Sequence, residues 1–156
     1  MTLTTLIWFA TACYGLHILE EYQLDWRDWA RRALGLPVEW SDFYVVNALV
    51  IVLGIVAANL AVAWPTVALT FPALMLINGA FFHVLPFIRM KGRFSPGLIT
   101  AIVLFFPVGV ACYARAIKDG VGAVTIIVSF VLGALLMAYP VVLLLIKDKP
   151  YFRQNR

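Results

Sequence analysis

The sequence predicts an all-α membrane protein, a polytopic bundle of about five transmembrane helices with one amphipathic helix at the membrane surface. Of its 156 residues, 63% are hydrophobic and 13% are charged, whereas a soluble domain has about 45–50% apolar and about 25% charged residues. Five runs reach the roughly 20 mostly apolar residues that one helical crossing needs. These observations predict a single integral membrane domain over residues 1–156. They exclude a soluble enzyme, a disordered tail and a secreted domain held by disulfides.

The first crossing is predicted at residues 2–22, and the segment that follows it is too polar to span a membrane. Within residues 24–34, Trp26, Trp29 and Ala30 recur at helical spacing, while the charged side chains lie on the opposite face. A helix with one apolar and one charged face lies in the membrane surface. We therefore expect an interfacial helix between the first and second crossings.

Four further apolar runs complete the bundle, at residues 43–64, 66–89, 97–118 and 121–146. The second and third crossings are separated only by a short turn at Trp64 and Pro65. Proline cannot continue the preceding helix, but it suits the first turn of a new one. The sequence therefore predicts a tight helical hairpin at this point.

The basic residues predict the orientation of the bundle. Of twelve Lys and Arg residues, all but Arg115 and Lys118 follow the first, third or fifth crossing. Because cytoplasmic loops are rich in these residues, we expect the N-terminus outside and the C-terminus in the cytoplasm, at the plasma (inner) membrane. There the bases contact anionic lipid headgroups, and no nucleic-acid partner is expected. The ten bases on this side are Arg27, Arg31, Arg32, Arg89, Lys91, Arg93, Lys147, Lys149, Arg153 and Arg156.

Two histidines and two glutamates stand inside predicted crossings, where a charge costs several kcal/mol unless it is paired, hydrated or bound to a metal. His17, Glu20 and Glu21 have the i, i+3 and i+4 spacing that places side chains on one helix face. At 1.5 Å per residue, His17 and His83 each lie about 8–9 Å from the cytoplasmic end of their crossings. We therefore expect all four side chains to meet around one site.

Three further polar residues are predicted to line a pocket around that site. Measured along their helices, Asn47 lies about 8 Å and Tyr139 about 12 Å from the same end of the bundle. Asn78 is deeper, at about 16 Å, and is expected to form the floor. Four helices can thus present polar groups to one pocket in the cytoplasmic half of the membrane.

Three short strings resemble the signatures of a known family. The strings His17-Ile18-Leu19-Glu20-Glu21 and Phe94-Ser95-Pro96-Gly97, with the separate His83, resemble those of the HXXEE family of small multi-pass proteins. That family is defined by an HXXEE motif, another histidine and a YXPG motif, so Phe94 replaces a tyrosine. The resemblance implies these positions and no particular chemistry. Because Phe94, Pro96 and Gly97 adjoin the mouth of the predicted pocket, they are candidates for gating substrate entry.

The ionisable residues have the number and type of atoms that bind a divalent transition metal. His17, His83 and the two glutamates offer a mixed nitrogen and oxygen set, which favours Zn or Fe over Mg or Ca. Two histidines and one glutamate would leave a fourth position for water, and the other glutamate could act as general base. The sequence thus suggests a metal-dependent hydrolase of a lipid-like or amphiphilic substrate, with Glu20 and Glu21 as catalytic residues.

Two other interpretations use the same residues. Without a metal, one of the adjacent Glu20 and Glu21 would hold a proton and act as acid while its neighbour or His83 acts as base. Such a site would suit an isomerase, a cyclase or an intramembrane peptidase. In the second interpretation, both glutamates reach water or pair with bases at the helix ends. The chain would then be a non-catalytic ligand-binding or scaffold protein.

Overall fold

The computed structural model describes residues 1–147, 149 and 151–152, which form six helices joined by turns. The helices are α1 (Leu3–Gln23), α2 (Trp26–Ala33), α3 (Trp40–Leu60), α4 (Pro65–Arg89), α5 (Leu98–Lys118) and α6 (Ala123–Ile146). This part of the chain contains no strand, which confirms the predicted all-α class. Arg153 and Arg156, two of the bases used to predict the orientation, lie outside the described residues.

Five of these helices, all except α2, are long and apolar enough to cross a membrane. The chain is therefore an integral membrane protein, as predicted. The short α2 buries Trp29 and Ala30 against Val38 and Leu144, and it exposes Arg31. Its two faces have the polarity expected of the interfacial helix.

The second crossing, α3, begins at Trp40, three residues before the start predicted from hydropathy. The reason is a cap, because the Asp42 carboxylate accepts a hydrogen bond from the Glu39 backbone N–H at 2.9 Å. The next helix begins with Pro65 in its first turn, where the missing N–H costs no helical hydrogen bond. Polar and proline residues therefore set helix starts that hydropathy alone does not define.

Helix α4 lies at the centre of the bundle. It packs against α1, α3, α5 and α6, and α1 also packs against α3 and α5. Where these helices meet, the side chains of Ile7, Phe71, Met75 and Phe105 have no exposed surface. This arrangement brings the inner faces of α1, α4 and α5 into contact at one level.

Wider, π-helical turns interrupt α4 and α5, at Gly79–Val84 and Ala101–Phe105. In the first of them, the Leu85 N–H bonds to the carbonyl of Ala80, five residues earlier instead of four. Pro86 comes next and has no N–H to offer the carbonyl of Phe82. Turns of this kind are frequent at functional sites, and His83 lies within this one.

Helices α4 and α6 approach each other closely at Gly133. A Cβ atom built on Gly133 would lie 2.7 Å from the Cβ of Ala73 and 2.9 Å from the backbone nitrogen of Leu74. Between helices in lipid there is no hydrophobic driving force, so close backbone packing at small residues provides the attraction. Gly133 is therefore central to the attachment of α6.

We expect Gly133→Leu to destabilise the protein by about 1–3 kcal/mol, the usual cost of overpacking, because α4 and α6 must move apart. For a chain of this size, each kcal/mol lowers the melting temperature by about 2–4 °C. Thermal unfolding in detergent measures the change. Ala134→Leu, on the exposed side of α6, is the matched control and should leave the melting temperature unchanged. Equal melting temperatures for the two variants would contradict this packing.

Candidate metal centre

Three of the four ionisable residues predicted to share a site meet inside the bundle. His17 and Glu21 stand one turn apart on α1, and His83 approaches them from the π-helical part of α4. The exposed fraction is 0% for both histidines and 4% for Glu21. The Glu21 Oε1 atom lies 3.5 Å from Nε2 of His17 and 3.5 Å from Nε2 of His83. Two helices therefore direct nitrogen and oxygen atoms at one small volume.

The spacing of this group is close to that of the ligands of one metal ion. One ligand atom from each residue lies within 4.8 Å of the other two, and ligand atoms around a bound ion lie about 3–4 Å apart. The imidazole centroids of His17 and His83 are 4.8 Å apart, with the ring planes at 83°. The rings are therefore not stacked, and both can turn a nitrogen towards Glu21. The group could hold a metal ion.

Hydrogen bonds determine which nitrogen of His17 is free. Its Nδ1 lies 2.7 Å from the Thr100 hydroxyl, and that hydroxyl donates its single proton to a Glu20 carboxylate oxygen at 2.6 Å. Nδ1 must therefore carry a proton and donate a hydrogen bond to the Thr100 oxygen. The buried Nε2 keeps its lone pair and has no hydrogen-bond partner among the described residues. An imidazole whose other nitrogen donates a hydrogen bond is the usual metal-binding form.

His83 is held by a second hydroxyl group. Its Nδ1 lies 3.2 Å from the Ser95 hydroxyl, which can donate to the carbonyl of Phe82 at 3.3 Å. The proline at position 86 leaves that carbonyl without its usual donor. The Nε2 atom of His83 also lies 3.1 Å from the Asn78 Oδ1 atom, a hydrogen bond that needs a proton on Nε2. A metal at this nitrogen would replace the bond to Asn78, and the proton would then be on Nδ1.

Glu20 lies outside this group, although the sequence predicts it among the ligands. Its carboxylate accepts hydrogen bonds from the backbone N–H groups of Gly97, Ile99 and Thr100, at 3.1, 3.2 and 2.8 Å. These are the free N–H groups at the start of α5, where a helix favours a negative charge. Glu20 therefore ties α1 to α5 and orients His17 through the Thr100 hydroxyl.

Sequence reasoning missed the two hydroxyl residues, Ser95 and Thr100. Ser95 stands inside the Phe94–Gly97 string and is typical of a turn, and Thr100 belongs to the next apolar run. Both contact a histidine across the bundle rather than along one helix. The one feature of the sequence that could have indicated them is that both lie within three residues of Pro96-Gly97, the pair that precedes a crossing.

The family comparison agrees with the motifs that this site contains. The model of the family described as "Protein of unknown function with HXXEE motif" matches residues 8–112. The chain belongs to the HXXEE family. The matched region includes the HXXEE motif on α1, His83 and the string that ends at Gly97. No curated protein and no solved structure matches the chain.

In this HXXEE protein, the string that corresponds to the YXPG motif contacts the other two signatures at Gly97. The φ angle of Gly97 is +91°, in the left-handed region. A Cβ atom there would lie 2.5 Å from Cε1 of His83 and 2.7 Å from Cε1 of His17. Glycine is thus required both by the backbone and by the space available. Pro96 is buried and Phe94 is 44% exposed, and their gating role stays a prediction.

Of the three other predicted pocket residues, two lie at the site and one does not. Asn47 and Asn78 are buried and line, together with Glu21, a cavity of about 70 Å³. Tyr139 does not line this cavity and is 60% exposed on α6. The structure therefore brings the two asparagines to the site and leaves Tyr139 on an outward face.

Proposed function

We propose that this HXXEE protein binds one Zn or Fe ion through His17, Glu21 and His83 and uses it to hydrolyse a lipid-like or amphiphilic substrate. One observation supports the proposal most. The Nε2 atom of His17 is buried without a partner next to a carboxylate that is 4% exposed and receives no hydrogen bond from the described residues. An imidazole nitrogen without a partner and a buried carboxylate are costly in a membrane interior unless they share a proton or an ion, and an ion would satisfy both.

The proposed chemistry follows from the ligand set. Two imidazoles and one carboxylate are typical of catalytic zinc, with water at the fourth position. A bound ion lowers the pKa of this water to about 7 and so supplies hydroxide at neutral pH. Hydrolysis would break the ester bond, with the hydroxyl group of the water going to the acyl carbon and its proton to the alcohol. Because both oxygens of Glu20 are hydrogen-bonded at α5, we assign Glu20 a positioning role instead of the general-base role.

The proposal includes the location of the site. The end of the bundle that carries Arg27, Arg89 and Lys147 would face the cytoplasm, because basic residues favour that side of the plasma (inner) membrane. The metal centre would then lie in the cytoplasmic half. A substrate from the cytoplasmic leaflet could reach it without crossing the membrane.

Metal analysis of the purified full-length protein tests the proposal. We expect about one Zn or Fe per chain, and loss of the metal in His17→Ala, His83→Ala and Glu21→Gln, since each change removes one of three ligands. Glu39→Gln makes the same change of charge at an exposed carboxylate and is the matched control for Glu21→Gln. Metal bound equally to the two glutamate variants would contradict the site.

A metal-free acid–base site is the second candidate, and one contact favours it. The bond from His83 Nε2 to Asn78 needs a proton at the position where a metal would bind. The histidines and Glu21 would then share protons, as in an isomerase, a cyclase or a peptidase. Purified protein that contains no metal but still converts a lipid, and loses this activity in Glu21→Gln, would support this candidate over the hydrolase.

A further inference from the structure

The molecule has an apolar groove on its outer surface, beside the cavity that Glu21 lines. We propose that a single-chain lipid with a small carbonyl-containing end binds with its chain between α3 and α6 and its polar end beside Glu21. This proposal rests on the proposed function for the chemistry at the polar end. The position of the chain rests on the groove alone.

The groove exists because α3 and α6 both pack against α4 but diverge from each other. It has a volume of about 330 Å³, and its walls are formed by Val45, Leu49 and Leu53 of α3 and Leu136, Tyr139 and Leu143 of α6. From Ser41, which lines its polar end, to Leu53 the groove extends about 18 Å at 1.5 Å per residue. One leaflet of a hydrocarbon core about 30 Å thick is about 15 Å deep. The groove therefore has the length of an acyl chain in one leaflet.

The groove adjoins the cavity that Glu21 of the proposed metal centre lines. Val46 and Pro140 line both spaces, so these two side chains form the junction at which the spaces meet. On the inner side of the junction the cavity walls include Glu21, Asn47 and Asn78. An apolar path thus ends at amide groups and at a buried carboxylate that no described residue supplies with a hydrogen bond. This order of surfaces matches an amphiphile that enters with its polar end first.

An ion pair closes the groove at the basic end of the bundle. The Lys147 ammonium group lies 2.7 Å from the Asp42 carboxylate and joins the end of α6 to the start of α3. Both residues line this end of the groove. This end of the groove is therefore charged and bridged, whereas the side between α3 and α6 is apolar and faces the hydrocarbon region. Entry from this side favours a lipid over a water-soluble ligand.

The size of the cavity limits the polar end of the ligand. A volume of about 70 Å³ holds on the order of five water molecules. This space suits a carboxyl or ester group better than a phosphodiester with an attached alcohol, which would extend out of it. The asparagine amides can donate to the oxygens of a carbonyl group. The ligand is therefore a fatty acid or a simple fatty acyl ester.

Photolabelling of the full-length protein tests this assignment. The probe is palmitic acid with a diazirine in its chain, added to the protein in phosphatidylcholine vesicles. Mass spectrometry should find the label at residues 45–53 and 136–143. Val46→Trp fills the junction and should reduce this labelling by about tenfold. Val52→Trp, on a lipid-exposed part of α3 outside the groove, is the matched control and should label as wild type does.

Three outcomes would contradict the binding of a lipid in this groove. The first is a label spread equally over the exposed face of α5, and the second is equal labelling of Val46→Trp and Val52→Trp. The third is a dimer, shown by cross-linking, in which a second copy covers α3 and α6 and excludes the probe. Metal content separates this test from that of the proposed function. Groove labelling without metal would contradict only the metal centre, and metal without groove labelling would contradict only the groove.

Discussion

Gly97→Ala is expected to lose most of the bound metal and to lower the melting temperature strongly. The new Cβ atom would stand 2.5 Å from one imidazole and 2.7 Å from the other, so both rings must move apart. The left-handed backbone adds about 1–2 kcal/mol for any residue with a side chain. Because the rings belong to α1 and α4 while Gly97 precedes α5, the change separates three helices at once. Metal analysis and thermal unfolding of the purified variant measure the two effects.

Gly120→Ala is the control that separates the two effects expected of Gly97→Ala, the steric clash with the imidazoles and the cost of the left-handed backbone. Gly120 has a φ of +84°, and nothing lies within 4 Å of its Cβ position. This variant should therefore show only the backbone cost, with its metal content unchanged. If Gly97→Ala and Gly120→Ala behaved alike in both measurements, the close contact of the turn with the two histidines would not matter.

Glu20→Ala is expected to destabilise the protein by about 3 kcal/mol or more. It leaves three backbone N–H groups at the start of α5 without their acceptor, and each unpaired group costs about 1–3 kcal/mol. The Thr100 hydroxyl also loses its nearest acceptor, which leaves the Gly97 carbonyl at 3.2 Å and the His17 Nδ1 atom at 2.7 Å as alternatives. His17 can then carry its proton on Nε2, the atom at which the proposed metal would bind. We therefore expect reduced metal affinity together with reduced stability, measured by metal titration and thermal unfolding.

Asp119→Ala, at an exposed carboxylate that pairs with Arg115, is the matched control. Surface ion pairs of this kind contribute about 0–1 kcal/mol, so its melting temperature should change little. Catalysis by Glu20 in the general-base role would give a different pattern, with activity abolished while stability and metal content stay at the level of the control.

That His17 and His83 stand at one level of the bundle could be predicted from sequence, because helix rise is a general property. The division of roles between Glu20 and Glu21 could not. Both residues lie within one turn of His17, so periodicity assigns them to the same face. What separates them is the start of α5, whose free N–H groups attract Glu20. The position of the Glu20 side chain therefore depends on a contact between two helices, which helical periodicity does not report.

Tyr139 illustrates a second limit of sequence reasoning. Its depth along α6 follows from the helix rise, but its direction does not. A helix that is apolar on every side gives no indication of the face it turns towards its neighbours. In α6 this face is defined by the close approach at Gly133, a packing feature that hydropathy does not report. The predicted pocket residue therefore lies on the groove wall.

The π-helical turn in α4 acts as a one-residue insertion in the helix register. In a regular α-helix each residue turns by about 100°, so two residues five apart point about 140° away from each other. Asn78 and His83 are five apart, yet their side chains meet at 3.1 Å, because the wider turn restores them to one face. If one residue were removed from Gly79–Val84 and the turn became a regular α-helical one, His83 would still lie on the same helix face as Asn78. A relative that lacks the widened turn should therefore carry its histidine four residues after the asparagine.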